Sequence, residues 1–142
     1  MKIIFWSQSG NTEGIAKLIL KGIEEGGKKA ELLEVSSATL EDIKNEDIVI
    51  LGCPASGSEE LDESAMEPFV NSLEGNIQGK KVALFGSYGW GDGEWMRNWE
   101  ERMEAYGANL ISEGLIINER PESEEDKEKC INFGKLIAKE AN

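Results

Sequence analysis

The chain contains no histidine. That absence removes a Ser-His-Asp triad, a Cys-His dyad and any His-ligated metal centre. Basic residues are scarce: 15 Lys and Arg stand against 28 Asp and Glu, for a net charge of -13. Nucleic acid and anionic membranes are therefore poor partners. An acidic surface of this strength suits solubility, or docking on basic partners. Only two cysteines occur, Cys53 and Cys130, with no Cys-x-x-Cys spacing. A structural disulfide is not expected in the cytoplasm, and both read as small buried hydrophobes, with Cys53 at a strand end near a prospective ligand. No apolar run approaches the roughly 20 residues of a membrane span. The first residues lack a basic stretch followed by a signal-like apolar core, so the expected location is cytoplasmic.

What is present is an alternation of strand and helix. At 142 residues the chain reads as one domain, 1–142. A chain of this length buries about 70% of its unfolded surface and needs no disulfide or metal staple. Residues 2–6 read as a strand and 12–25 as an amphipathic helix ending at Gly26-Gly27. Residues 30–35 form a weakly alternating strand, and 39–44 a short helix capped by Thr39. Ile48-Val49-Ile50-Leu51 is a continuous apolar run, as in a strand buried on both faces. A polar loop, 53–62, precedes a helix carrying Met66, Phe69, Val70 and Leu73, with Pro68 in its first turn. Lys81 to Phe85 is another central strand, followed by a Gly-rich loop, 86–93. Met96, Trp99, Met103 and Tyr106 recur at helical spacing. Leu110-Ile111 and Leu115-Ile116-Ile117 belong to a last strand, with Gly114 the place for an interruption. Ser123 caps the final helix, whose stripe is Cys130, Phe133 and Ile137.

Five strands alternating with helices imply a doubly wound parallel sheet with helices on both faces. Ligands of such sheets sit beyond the carboxyl ends of the strands. Three loops leave those ends with unusual chemistry. The first is Ser7-Gln8-Ser9-Gly10-Asn11-Thr12, between a strand and a helix start. Free helix N–H groups, three hydroxyls and an amide make it an anion site, and Gly10 admits a twist that a side chain would resist. It has no Lys or Arg, so it suits a phosphate held as an anchor rather than one being transferred. The second is Cys53-Pro54-Ala55-Ser56-Gly57-Ser58-Glu59-Glu60. Its small residues let a flat ligand approach the backbone. Gly57 suits a turn that reorients its peptide cheaply, and Glu59 can accept from a ring N–H. The third holds Ser87, Tyr88, Gly89, Trp90 and Gly91, with Tyr88 and Trp90 as flat faces. Trp95 and Trp99 fall on a helix and read as packing residues. A phosphate site beside an aromatic platform asks for a flat phosphorylated heterocycle, and a mononucleotide flavin meets that demand. A dinucleotide would want Gly-x-Gly-x-x-Gly after the first strand, which is missing.

Ser7 to Thr12 resembles the flavodoxin phosphate signature, and Gly86 to Gly93 resembles the third flavin loop of that family. The likeness covers the whole chain and is similar to the short-chain branch. It implies a five-stranded parallel sheet of order 2-1-3-4-5. It also implies non-covalent FMN in a low-potential one-electron carrier, cycling mainly between semiquinone and hydroquinone without turning over a substrate. By that resemblance Ser7, Ser9, Asn11 and Thr12 hold the phosphate, with Gln8 and Gly10 adding backbone N–H groups. Trp90 stacks on the outer ring face, and Ser87 lies near the phosphate or ribityl chain. Gly57 presents its carbonyl to N5, and Glu59 bonds the N3–H. The wider binding set is residues 7–12, Pro54, Ala55, Ser56, Gly57, Ser58, Glu59, Ser87, Tyr88, Gly89, Trp90 and Gly91. The partners implied are basic-faced redox proteins, met by a monomer. Two positions depart from the pattern. Relatives often place Met where Ser56 stands, and a hydroxyl residue where Pro54 stands, which has neither hydroxyl nor N–H.

Other readings fit less well. A flavin reductase of the same fold would need a basic pocket for a nicotinamide phosphate, and none is offered. A receiver domain needs Asp at the end of its third strand, where Leu51-Gly52-Cys53 stands. A small tyrosine phosphatase needs Cys-x5-Arg, but the sixth residue after Cys53 is Glu59. A P-loop kinase needs Gly-Lys-Ser/Thr, but Asn11 follows Gly10.

Overall fold

The computed structural model describes residues 1–141. Its strands are β1 (Lys2–Phe5), β2 (Glu31–Glu34), β3 (Ile48–Gly52), β4 (Lys81–Tyr88), β5 (Asn109–Leu110) and β6 (Leu115–Asn118). Its helices are α1 (Asn11–Glu25), α2 (Glu41–Lys44), α3 (Met66–Ser72), α4 (Glu94–Ala105) and α5 (Glu124–Glu140). All strand pairs are parallel, in the order β2-β1-β3-β4-β5, and β6 continues the edge position along β4. The last strand is thus one edge position broken into two pieces around Gly114.

The period-two alternation of the strands divides the core into two layers. Ile4, Val49, Leu51, Val82 and Leu84 pack with Met66, Phe69, Val70, Trp95, Trp99 and Met103 of α3 and α4. Ile3, Phe5, Ile48, Ile50, Ala83 and Phe85 face the other way, onto Ile15, Ile19 and Ile23 of α1 and Cys130, Phe133 and Ile137 of α5. Every residue of β3 is buried, which is why that segment shows no polar alternation. Among the described residues no helix is long and apolar enough to cross a membrane.

Helices α1 and α5 meet through glycines. A Cβ on Gly22 would strike the Ile131 carbonyl oxygen, and one on Gly134 would strike the Ile19 carbonyl oxygen. Gly inside a helix costs about 1 kcal/mol relative to Ala. Here that cost is offset by bringing the two backbones close enough for the Ile19, Ile23 and Ile137 side chains to interlock.

Two expectations from the sequence need correction. Strand β4 does not stop at Phe85: it runs to Tyr88, and the Gly-rich loop begins at Gly89. The cause is β6, whose register matches Phe85 to Leu115 and Tyr88 to Asn118, so residues 86–88 are held in a ladder. Thr39 does not cap α2 with its hydroxyl. The roles are reversed: the Asp42 carboxylate accepts from the Thr39 N–H at 2.7 Å. Asp42 also takes the Lys2 ammonium at 2.6 Å, and this contact holds its carboxyl below the usual range.

Helix α3 is held by a residue outside it. The buried Asp62 carboxylate accepts from the Ala65 N–H at 2.7 Å, the Met66 N–H at 3.0 Å and the Ser64 hydroxyl at 2.8 Å. Burial alone would raise its pKa, but these hydrogen bonds prevail and keep it below 3.8.

Replacing Gly22 with Ala should destabilise the protein by about 1–3 kcal/mol despite the gain in helix propensity. Urea unfolding reads this as a lower midpoint, and a raised midpoint would contradict the close-packing account. Asp62→Ala should cost about 1–2 kcal/mol at neutral pH. Because the native pKa lies below the unfolded one, the wild-type advantage should be full above 3.8 and fade as pH falls through the native value. Unfolding curves of both proteins at neutral and acidic pH check the convergence.

Candidate functional site

Strands β1 and β3 end level, with Phe5 opposite Gly52, while β4 passes Gly52 at Phe85 and runs on to Tyr88. Their exits therefore emerge side by side. After β1, the half-buried Trp6 donates its backbone N–H to the Gly52 carbonyl at 3.0 Å. The chain then turns through Gly10, whose φ of 91° is left-handed. The Ser7 hydroxyl accepts from the Gly10 N–H at 3.2 Å and from the Glu13 N–H at 3.3 Å. Gly14 N–H bonds the Gly10 carbonyl. The N–H groups of Asn11 and Thr12, in the first turn of α1, have no acceptor among the described residues. Two donors at the positive end of a fifteen-residue helix are thus left for an anion. Thr12 is almost fully buried, and its hydroxyl lies 3.0 Å from that of Ser87 on β4. This pair ties the first exit to the third.

The second exit leaves β3 along β4. Cys53 N–H bonds the Phe85 carbonyl, and Ala55 N–H bonds that of Ser87, so the ladder passes over Pro54 without needing its missing N–H. A Cβ on Gly86 would strike the Cys53 carbonyl oxygen, so only glycine allows this approach. The same carbonyl accepts from the Trp95 indole at 3.1 Å. Burial pushes the Cys53 thiol up to about 12, which makes it an inert packing group. Ser56 and Glu60 exchange two backbone hydrogen bonds of 2.9 Å around a tip formed by Gly57, Ser58 and Glu59. Gly57 and Glu59 both have positive φ, 54° and 56°. The Glu59 carboxylate turns inward, is buried, and accepts from the Gly93 N–H at 3.3 Å. It lies against Gly91, where a Cβ would overlap it. Glu59 thus clamps the second exit to the third. Trp90, on the third, does not fold back on the core: it is 66% exposed. Trp95 and Trp99 are buried, as their helical spacing predicts.

A cleft of about 390 Å³ opens between these exits. Of the residues expected at the site, Gln8, Ser9, Asn11, Pro54, Ala55, Ser56, Ser87, Tyr88 and Gly89 line it. The other expected residues, Ser7, Gly10, Thr12, Gly57, Ser58, Glu59, Trp90 and Gly91, do not line it, although they lie on the same three exits. Three lining residues were absent from the sequence-based set: Trp6, Glu119 and Arg120. Glu119 and Arg120 follow β6, so they occupy a fourth carboxyl-end exit, and the rule that singled out the other three would have found them. A second depression of about 360 Å³ lies between α3 and α4, lined by Glu59, Glu60, Glu63 and Glu67. Arg102, which also lines it, is engaged by both Glu67 oxygens at 2.9 and 2.5 Å. Size does not separate the two hollows. Donor chemistry does, because only the first combines free backbone donors, hydroxyls and an open aromatic face.

A family model described as flavodoxin matches residues 3–133. The flavodoxin of Clostridium beijerinckii is 55% identical over 139 residues, covering 97% of this chain and 99% of that protein. The flavodoxin of Megasphaera elsdenii is 42% identical over 139 residues, covering 98% of each chain. The solution structure of the two-electron reduced Megasphaera protein superposes with a TM-score of 0.89, over 97% of this chain and 98% of that one.

The Thr12–Ser87 hydroxyl pair generates a stability prediction. Thr12→Val keeps the shape but leaves the Ser87 hydroxyl buried without its partner, at a cost of about 1–2 kcal/mol. Adding Ser87→Ala should recover part of that loss. Denaturant unfolding of the two single variants and the double variant checks the coupling; strict additivity would contradict it.

Proposed function

The chain belongs to the flavodoxin family, and from that premise we propose that it is a low-potential carrier working mainly in the lower of its cofactor's two one-electron steps. Its cofactor is FMN, which when bound takes up and releases electrons singly. The residues present fit that group. The observation that carries the reading is the pairing, in one cleft, of Asn11, whose N–H is unpartnered among the described residues, with Tyr88 and Gly89, which lead to the exposed Trp90.

The phosphate would be held by the 7–12 loop: N–H groups from the turn and α1, the Ser9 hydroxyl and the Asn11 amide. Ser7 would keep its O–H proton for a phosphate oxygen, since its hydroxyl oxygen already accepts from the Gly10 and Glu13 N–H groups. Trp90 supplies an exposed indole to cover one face of a flat ring and limit water there. Pro54, Ala55 and Ser56 form the opposite wall. Glu59 keeps its second carboxylate oxygen for a ring N–H while the first holds Gly93. Gly57 offers its peptide to the ring edge.

Two properties of the chain favour a low potential. The ring would lie partly dry between Trp90 and the second exit, where added negative charge is poorly solvated. The surrounding field is acidic, with 28 carboxylate side chains against 15 cations. The same field would steer basic faces of partner oxidoreductases, with a rate that falls as salt rises. The protein would act as a cytoplasmic monomer and turn over no substrate itself.

An absorption spectrum of the purified protein with FMN tests this reading. Flavin bands perturbed by binding, with no steady oxidation of NAD(P)H, are expected. Absence of flavin affinity would overturn it, and sustained nicotinamide turnover would favour a reductase. Gly57→Thr tests the loop. Among the described residues nothing lies within 4 Å of the added Cβ, so the substitution acts chiefly through the positive φ of residue 57. That strain is worth about 1 kcal/mol, on the order of 40 mV for one electron. The separation between the two one-electron potentials should narrow by about that amount, and an unchanged separation would remove Gly57 from the account.

A further inference from the structure

The 7–12 loop holds no cation, yet a phosphate monoester carries about -1.5 to -2 charges at pH 7, and the chain around it has a net charge of -13. Backbone dipoles must meet that charge unless a distant part of the sequence supplies a cation. One does. The Arg120 Nε–H donates to Asn11 Oδ1 at 3.3 Å, across 109 positions of sequence, and both residues line the same cleft.

The turn that delivers Arg120 is fixed on both sides. Glu119 has a left-handed φ of 57°, and its N–H bonds the Tyr88 carbonyl at 2.7 Å. Pro121 restricts the following backbone and packs toward α1, with its ring 3.9 Å from the Cβ position of Gly14. Glu119 and Glu122 are the acidic neighbours on this turn. Glu122 Oε1 approaches Nε at 3.8 Å, an exposed pair of little strength. Neither Nη group of Arg120 makes a hydrogen bond with the described residues.

We propose that Arg120 is a positioning residue for the phosphate of the bound flavin, acting through Asn11 and through its own charge. The inference rests on the FMN reading above. A guanidinium has donors and no acceptor, so it can engage only the oxygen of the Asn11 amide. That sets the amide with its NH₂ left over, and two donors remain for the phosphate end of the cleft. The guanidinium also places a positive charge at the mouth of a loop that has none, with its Nη donors available to a phosphate oxygen. Arg120 therefore discriminates a phosphorylated flavin from an unphosphorylated one.

Dissociation constants for FMN and for riboflavin, read by quenching of flavin fluorescence at low and high salt, test this on the wild type, Arg120→Gln and Arg120→Lys. Arg120→Gln should weaken FMN roughly three- to tenfold, change riboflavin less than about twofold, and flatten the salt dependence of FMN binding. Arg120→Lys keeps the charge without the fork, so it should retain the salt dependence and recover part of the affinity. Equal weakening of both flavins, or an unaltered salt dependence in Arg120→Gln, would overturn the role of Arg120 while leaving FMN binding intact. Failure of the wild type to bind FMN would overturn the functional reading and this inference with it.

Discussion

The structure depends on the level register of its central parallel strands. Phe5, Gly52 and Phe85 lie abreast, and β6 adds Leu115 at the same height. Parallel pairing sends every following segment out of one end of the sheet; β1 and β3 end at that height, and β4 and β6 run on side by side to Tyr88 and Asn118, which keeps those segments adjacent. Two glycines make the approach tight enough to matter. Gly52 has the Phe85 ring where a side chain would go, and Gly86 has the Cys53 carbonyl. With the exits this close, three polar links join them: Thr12 to Ser87, Ala55 to Ser87, and Glu59 to Gly93. The site is therefore a property of the sheet's end, not of any one loop.

The division of labour within the site follows from polarity. At one end, donors are backbone N–H groups and small polar side chains, and the local field comes from a helix terminus. At the other, an exposed indole and a wall of small residues offer area without charge. Carboxylates dominate the rest of the surface. Such an arrangement holds an anion by directed hydrogen bonds while opposing further negative charge nearby, as the proposed low-potential role requires. Among the described residues lining the cleft Arg120 is the one cation, and it reaches there from the far end of the chain.

Much of this was legible because the relevant signals are local. Gly10 between hydroxyl residues marks a left-handed turn before a helix, and its φ of 91° agrees. Trp90 among glycines has no helical or strand period to bury it, and it is exposed. Ser123 lies three residues before Asp126, and its hydroxyl caps α5 as that spacing predicts. The misses are all tertiary. Residues 86–88 look like loop until β6 is placed beside them. Thr39 looks like a cap until Asp42 is seen to take Lys2 on one carboxylate oxygen and the Thr39 N–H on the other. Gly22 and Gly134 look like flaws in their helices until the two backbones touch. Arg120 looks like a surface charge because nothing nearby in sequence connects it to Asn11.

The central claim is that four exits, distant in sequence, form one flavin site with its phosphate end at residues 7–12. Backbone amide shifts of the ¹⁵N-labelled protein, titrated separately with FMN and riboflavin, test it most directly. With FMN, amides of 7–12, 55–59, 87–91 and 119–120 should shift together and saturate at one concentration. With riboflavin the last three groups should still move, while 7–12 stays near its flavin-free positions. Shifts confined to one exit, or centred on Glu63 and Arg102 between α3 and α4, would contradict the account.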